Sequence, residues 1–113
     1  MTERLFVYGT LGPGRPNEHI LKNIGGNFQK AFVYGSLVDE GWGAAMGYPG
    51  IVLDAKADKV QGFLFSSNRL ANHWAELDDF EGEAYERVQT QVELEDKTIV
   101  EAYVYALKDN RFG

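Results

Sequence analysis

Residues 4–11 read RLFVYGTL, and a near copy of that stretch, FVYGSL, returns at residues 32–37. In each copy an apolar run meets a glycine, as a buried strand does where it ends. The continuations differ. After Leu11 the chain passes through Gly12-Pro13-Gly14 to Asn17, a helix-capping residue, and then to Ile20, Leu21 and Ile24 at helical spacing. Gly25-Gly26 stops that helix. After Leu37 comes GWGAAMGYPG, residues 41–50, whose four glycines and one proline make a loop. A five-residue pattern that leads once into a helix and once into a loop is no structural repeat. One copy is therefore a candidate site and the other is ordinary sheet.

The remaining elements are placed by the same signals. Strands are expected at Arg4–Tyr8, Phe28–Leu37, Ile51–Leu53 and Val60–Phe65, with Ala31, Val33 and Gly35 on one face of the second. A helix is expected from Arg69 to about Phe80, capped by Ser67 or Asn68 and closed by Gly82. Tyr85–Leu94 alternates and Ile99–Leu107 returns, with Glu95-Asp96-Lys97 turning the chain into a hairpin. The tail Lys108–Gly113 is polar and expected to be loose. Strand, helix, several strands, helix and hairpin make an α+β protein with a curved, mixed or mostly antiparallel sheet and two helices. With 113 residues and no linker, residues 1–113 are expected to form one domain.

Composition narrows the function classes. The formal charge is −6 and the eleven basic residues are scattered, which argues against a nucleic-acid partner. The absence of cysteine removes disulfide, thiolate and cysteine–metal chemistry. No apolar run reaches transmembrane length, and MTERLFVYG has no signal-peptide pattern, so a cytoplasmic protein without membrane contact is expected. The oligomeric expectation is a monomer, although Trp42 and Phe112 could cover either the core or a partner. The glycines do not spell a nucleotide site. No GxxxxGK occurs, and Gly41 and Gly43 meet Met46 where a dinucleotide fingerprint needs its third glycine. His19 and His73 read as solvent-side helix residues without a ligand partner, and the acids around Asp78 to Glu86 lack the calcium-loop pattern. No metal site is expected.

Three features carry chemistry. Past Gly9, the amides of Thr10, Leu11 and Gly12 need not be used in strand pairing, and successive free amides can hold a carboxylate or an oxyanion. A plain tight turn with solvated amides satisfies the same sequence. Second, Leu70, Trp74 and Leu77 share a helical stripe that continues to Glu81, a carboxylate on an apolar face. Burial and the helix C-terminus both raise the pKa of such a group and suit it to act as base and then acid. A pairing of Glu81 with Arg87 or Arg4, or a frayed and solvated end, is the alternative. Third, Tyr85, Tyr103 and Tyr105 on the last two strands either wall a pocket or are ordinary strand aromatics.

The ordered set FVYGTL, Tyr48-Pro49-Gly50, Val60-x-Gly62-x-Leu64-Phe65, Leu77-Asp78-Asp79-Phe80-Glu81-Gly82, Tyr85-x-Arg87 and Ala102-Tyr103-Val104-Tyr105 resembles the gamma-glutamyl cyclotransferase-like, or AIG2-like, family over Arg4 to about Leu107. Its pattern is most similar to small bacterial members and to the gamma-glutamylamine cyclotransferases. The resemblance implies a small mixed fold round a barrel-like sheet and a cavity between the first loop and the glutamate of the LDxxEG string. It implies catalysis by Glu81 and substrate binding by Tyr8, Gly9, Thr10 and Leu11, with Tyr48, Tyr85 and Tyr105 as further contacts. The implied reaction is release of 5-oxoproline from a small gamma-glutamyl compound, without metal or organic cofactor. A non-catalytic protein binding a small amino-acid-like ligand in the same pocket, or a related acyl or amide reaction, fits the same residues. The sequence departs from the pattern where family members often carry a basic residue soon after YGTL. Here Gly12-Pro13-Gly14 stands there and Arg15 comes next, which bears on leaving-group recognition.

Overall fold

The computed structural model describes residues 2–8, 13–14, 18–38, 50–82 and 85–107. The chain runs β1 (Glu3–Val7), α1 (Glu18–Ile24), β2 (Asn27–Val38), β3 (Gly50–Leu53), β4 (Lys59–Ser67), a 3-10 turn (Leu70–Asn72), α2 (Trp74–Glu81), β5 (Tyr85–Leu94) and β6 (Ile99–Leu107). Among the described residues the strands form one mixed sheet in the order β1-β4-β2-β3-β6-β5. Two further pairings, β1 with β6 and β2 with β5, curl it into a barrel-like ring. The β1–β6 contact is parallel, Leu5 opposite Tyr103 and Phe6 opposite Val104. The other main ladders are antiparallel. This is an α+β fold with a small mixed barrel-like sheet and two main helices.

Strand alternation sends neighbouring residues to opposite faces, and here both faces are apolar. Phe6, Val33, Leu64, Val92, Ala102, Val104 and Ala106 belong to one buried cluster. Leu5, Val7, Phe65, Tyr105 and Leu107 belong to a second, together with Leu21 and Ile24 of α1, Leu70, and Leu77 of α2. The helices cover that second face, which explains why β1 reads as an unbroken apolar run. The close approach of β1 to β4 requires glycine at position 62. A Cβ there would strike the carbonyl of Val7 and come within 2.7 Å of the Phe6 ring.

The strand expectations agree with the structure to within two residues at each end. α2 differs. Instead of one helix from Arg69, a single 3-10 turn holds Leu70, and the α-helix begins at Trp74 after His73. Ser67 caps neither. Its buried hydroxyl donates to the Gly25 carbonyl and accepts the Arg69 amide at 3.0 Å, tying the end of β4 to the end of α1. Committed to that junction, it leaves the α-helix to start a turn later. Gly82 does end α2: its φ is 87° and its amide donates to the Asp78 carbonyl at 3.0 Å. Gly25 ends α1 in the same way, at φ 92°. Asn17, the loop at 41–49 and the tail at 108–113 lie outside the described residues. No described helix is long and apolar enough to cross a membrane.

Candidate active site

Tyr8 directly follows β1. Its hydroxyl donates to the Tyr105 carbonyl at 2.6 Å and accepts the Ile51 amide at 3.0 Å. The β3–β6 ladder is thin here, with one register pair, Ile51 opposite Ala106. The phenol therefore stands in for a ladder hydrogen bond and joins three strands at one point. Burial raises its pKa, helped by the charge on Glu81, so the hydroxyl stays protonated.

Glu81 is the last residue of α2 and is half-buried. Burial pushes its carboxyl from 4.5 up to about 7. The helix C-terminus, with its exposed carbonyls, disfavours negative charge in the same direction. A carboxyl poised there is about half ionised at neutral pH and can take or give a proton with little driving force against it.

Tyr105 and Tyr85 stand on one face of the β5–β6 hairpin. Register puts Tyr85 opposite Leu107 and Arg87 opposite Tyr105, so all four side chains share the helix-covered face. The Tyr105 hydroxyl donates to Asp78 Oδ1 at 2.7 Å. Burial, then that hydrogen bond, raises the Tyr105 pKa far above its ordinary value. Asp78, Asp79 and Gly82 from the end of α2 line a cleft of about 500 Å³ with Tyr85, Glu86, Arg87 and Tyr105. Tyr8 and Glu81 are not among its lining residues. They connect to it through Tyr105, which holds Tyr8 by its carbonyl and feels the charge of Glu81.

Of the residues the sequence singled out, Tyr8, Glu81, Tyr85 and Tyr105 thus fall in one region. Gly9, Thr10, Leu11, Tyr48 and Arg15 lie outside the described residues. Arg87 does not pair with Glu81. Its Nη1 is 3.7 Å from Asp78 Oδ1. Asp78 and Arg87 stand in the family motifs, and the sequence offers Arg87 only as a partner for Glu81; neither is among the catalytic or binding residues it points to. Alternation along β5 groups Arg87 with Tyr85, but only the register sets it against Tyr105. Among the described residues no group of three or more His, Asp or Glu is set to hold a metal ion.

A family model for gamma-glutamyl cyclotransferase, AIG2-like, matches residues 5–112. A search of curated proteins finds no match. Among solved structures, YkqA from Bacillus subtilis is 29% identical with a TM-score of 0.71 over 96% of this chain, which spans 36% of YkqA. An AIG2-like protein from Mus musculus is 27% identical, with a TM-score of 0.69, 93% of this chain covered and 76% of that one. An Arabidopsis thaliana protein solved in solution shares the fold at 20% identity and a TM-score of 0.72, with 100% and 68% covered.

Proposed function

The chain belongs to the gamma-glutamyl cyclotransferase, AIG2-like family, and from that premise we propose that it cyclises a small gamma-glutamyl compound. The products are 5-oxoproline and a free amine or amino acid. The observation that supports this reading is Glu81: a carboxyl at a helix end, raised by burial to about 7, in the region of Tyr8 and Tyr105.

A gamma-glutamyl group carries an α-ammonium and a γ-carbonyl in one flexible chain, so ring closure is intramolecular once the chain is folded. Glu81 takes a proton from the α-ammonium. The freed nitrogen attacks the γ-carbonyl carbon, and negative charge moves to oxygen. By the family resemblance, the amides of Gly9 to Leu11 meet that oxygen or the α-carboxylate. The bond from the γ-carbon to the leaving nitrogen then breaks, and protonated Glu81 gives its proton to that nitrogen. In all, two protons leave the ring nitrogen and two reach the departing amine. One travels on Glu81 and the other exchanges with solvent. The carboxylate is regenerated and no oxidant or reductant is needed.

The test is product detection. The protein is incubated with gamma-glutamyl dipeptides and gamma-glutamyl amines, and 5-oxoproline is quantified by mass spectrometry beside folded Glu81→Gln. Product from the parent and its loss in the variant support the reading. No product above background from any panel member overturns it, and the same panel is then screened for binding.

A further inference from the structure

α2 meets the sheet along a short line of side chains. Leu77 enters the core at 1% exposure. Trp74 sits edge-on to Tyr103 of β6, ring centroids 5.1 Å apart and planes at 63°. Arg87 of β5 lies against both rings, its Cζ 4.4 Å from the Trp74 centroid and 5.4 Å from that of Tyr103. Its Nη1 lies 3.7 Å from the Asp78 oxygen that also accepts the Tyr105 hydroxyl. None of Trp74, Asp78 or Arg87 has a role in the chemistry above.

An arginine suits this position because its guanidinium is flat, weakly hydrated and able to lie against rings, where a lysine ammonium is compact and strongly hydrated. Nη1 is buried without a hydrogen-bond partner, since 3.7 Å is too long for one. Such a nitrogen is poorly placed to capture a substrate anion, because it is sealed from solvent. The cleft beside it also carries Asp78, Asp79 and Glu86, which repel a carboxylate. What the arginine does is join α2 to the hairpin. Glu81 lies three residues beyond Asp78 and seven beyond Trp74, on the same side of the helix. It is the last helical residue before the chain turns at Gly82.

We propose that Arg87 is a positioning residue: packed against Trp74 and Tyr103 and paired with Asp78, it holds the last turns of α2 on β5 and β6 and so keeps the Glu81 carboxyl inside the fold. The catalytic part of this rests on Glu81 as the proton carrier. The structural part does not. The phenols of Tyr8 and Tyr105 interact electrostatically with Glu81, and Asp78, Arg87 and Tyr85 surround those phenols.

The test compares the full chain with Arg87→Met, which keeps length and loses the charge and the flat group, and with Arg87→Lys. Amide hydrogen exchange, the titration of the Glu81 carboxyl by NMR and 5-oxoproline kinetics are read on each. In Arg87→Met the amides of Leu77 to Gly82 are expected to exchange about 10-fold faster while those of β5 and β6 hold. The Glu81 midpoint should fall toward the ordinary carboxylate range, and kcat about 10-fold or more with KM little changed, with the acid limb of kcat following the midpoint. Arg87→Lys should recover part of each. The sign is decisive, because removing a nearby cation acting only through its charge raises a carboxyl pKa, whereas loss of burial lowers it.

An unchanged or raised midpoint, or strand amides that accelerate as much as those of α2, overturns the proposal. Should Arg87→Met not fold, Asp78→Asn removes the charge of the ion pair while keeping an oxygen to accept the Tyr105 hydroxyl, and faster exchange of the α2 amides is expected there in smaller measure. Its absence is equally fatal. A parent that makes no 5-oxoproline overturns the cyclotransferase reading, while exchange and titration still decide the role of Arg87.

Discussion

The hydroxyl of Tyr8 donates to the carbonyl of Tyr105 at 2.6 Å, joining residues 97 apart in sequence. Because the same oxygen accepts the Ile51 amide, the phenol is fully engaged by the backbone. Its contribution is to hold the end of β1 against β3 and β6, on the side of the barrel where Glu81 and Tyr105 meet.

Tyr8→Phe deletes this oxygen and leaves a carbonyl and an amide without that partner in a half-buried place. We expect a loss of about 1–3 kcal/mol of stability, read as a lower urea midpoint at unchanged slope. An unchanged midpoint would mean that water replaces the hydroxyl without cost.

The Glu81 carboxyl, with its pKa near 7, sets the pH profile of the proposed reaction. The base form is needed first, so kcat/KM should climb through an acid limb centred near pH 7 and level off above it. Glu81→Gln should lower kcat by roughly 10²–10⁴-fold on the plateau above the limb and abolish the limb itself. A limb of the same midpoint in the variant would assign it to another group.

The same shift links stability to pH. In the unfolded chain Glu81 ionises near 4.5, and in the folded chain near 7. Between these values the folded state binds more protons, so stability falls as pH rises. The contribution is fully present below pH 4.5 and lost by about pH 7. Its full size is on the order of 3 kcal/mol. Relative to the parent, Glu81→Gln should gain stability across this window and lose the slope. Denaturant melts at about pH 5 and about pH 8, on either side of most of that window, measure both.

Tyr105→Phe removes the hydrogen bond to Asp78. Bonds to charged groups contribute about 1.5–3 kcal/mol, and the Asp78 side chain is 46% exposed, so we expect the lower end of that range. Thermal or urea melts will show it, with no change in the sheet signal of circular dichroism.

Gly62→Ala places a Cβ against the Val7 carbonyl and the Phe6 ring. Backbone on one side and a buried ring on the other leave little room for relief, and a cost of about 1–3 kcal/mol is expected. A parent-like melt would mean that β1 and β4 separate more easily than their ladder suggests.

The elements themselves were legible because their signals are local. An apolar run before Gly9, the Ile20–Leu21–Ile24 spacing, the glycines at 25 and 82 and the alternation from Tyr85 onward act within a few residues. Glu81 was legible for the same reason, as a carboxylate in register with Leu70, Trp74 and Leu77. Even so, the α-helix starts later than its sequence signals suggest. Ser67 looks like a cap in sequence, but its hydroxyl is spent on the α1 junction, reached only through the Gly25 carbonyl some forty residues away.

Local pattern alone was therefore enough to locate the strands and helices, to make the fold α+β, and to set one carboxylate on an apolar stripe. Each rests on periodicity and on the steric freedom of glycine, which need no knowledge of partners. It took the folded chain to reveal that Tyr8 bridges Ile51 and Tyr105, that Asp78 takes the Tyr105 hydroxyl, and that Arg87 lies against Trp74 and Tyr103. Those contacts depend on sheet order and register, and these arise when the whole ring closes and its two apolar faces are buried together.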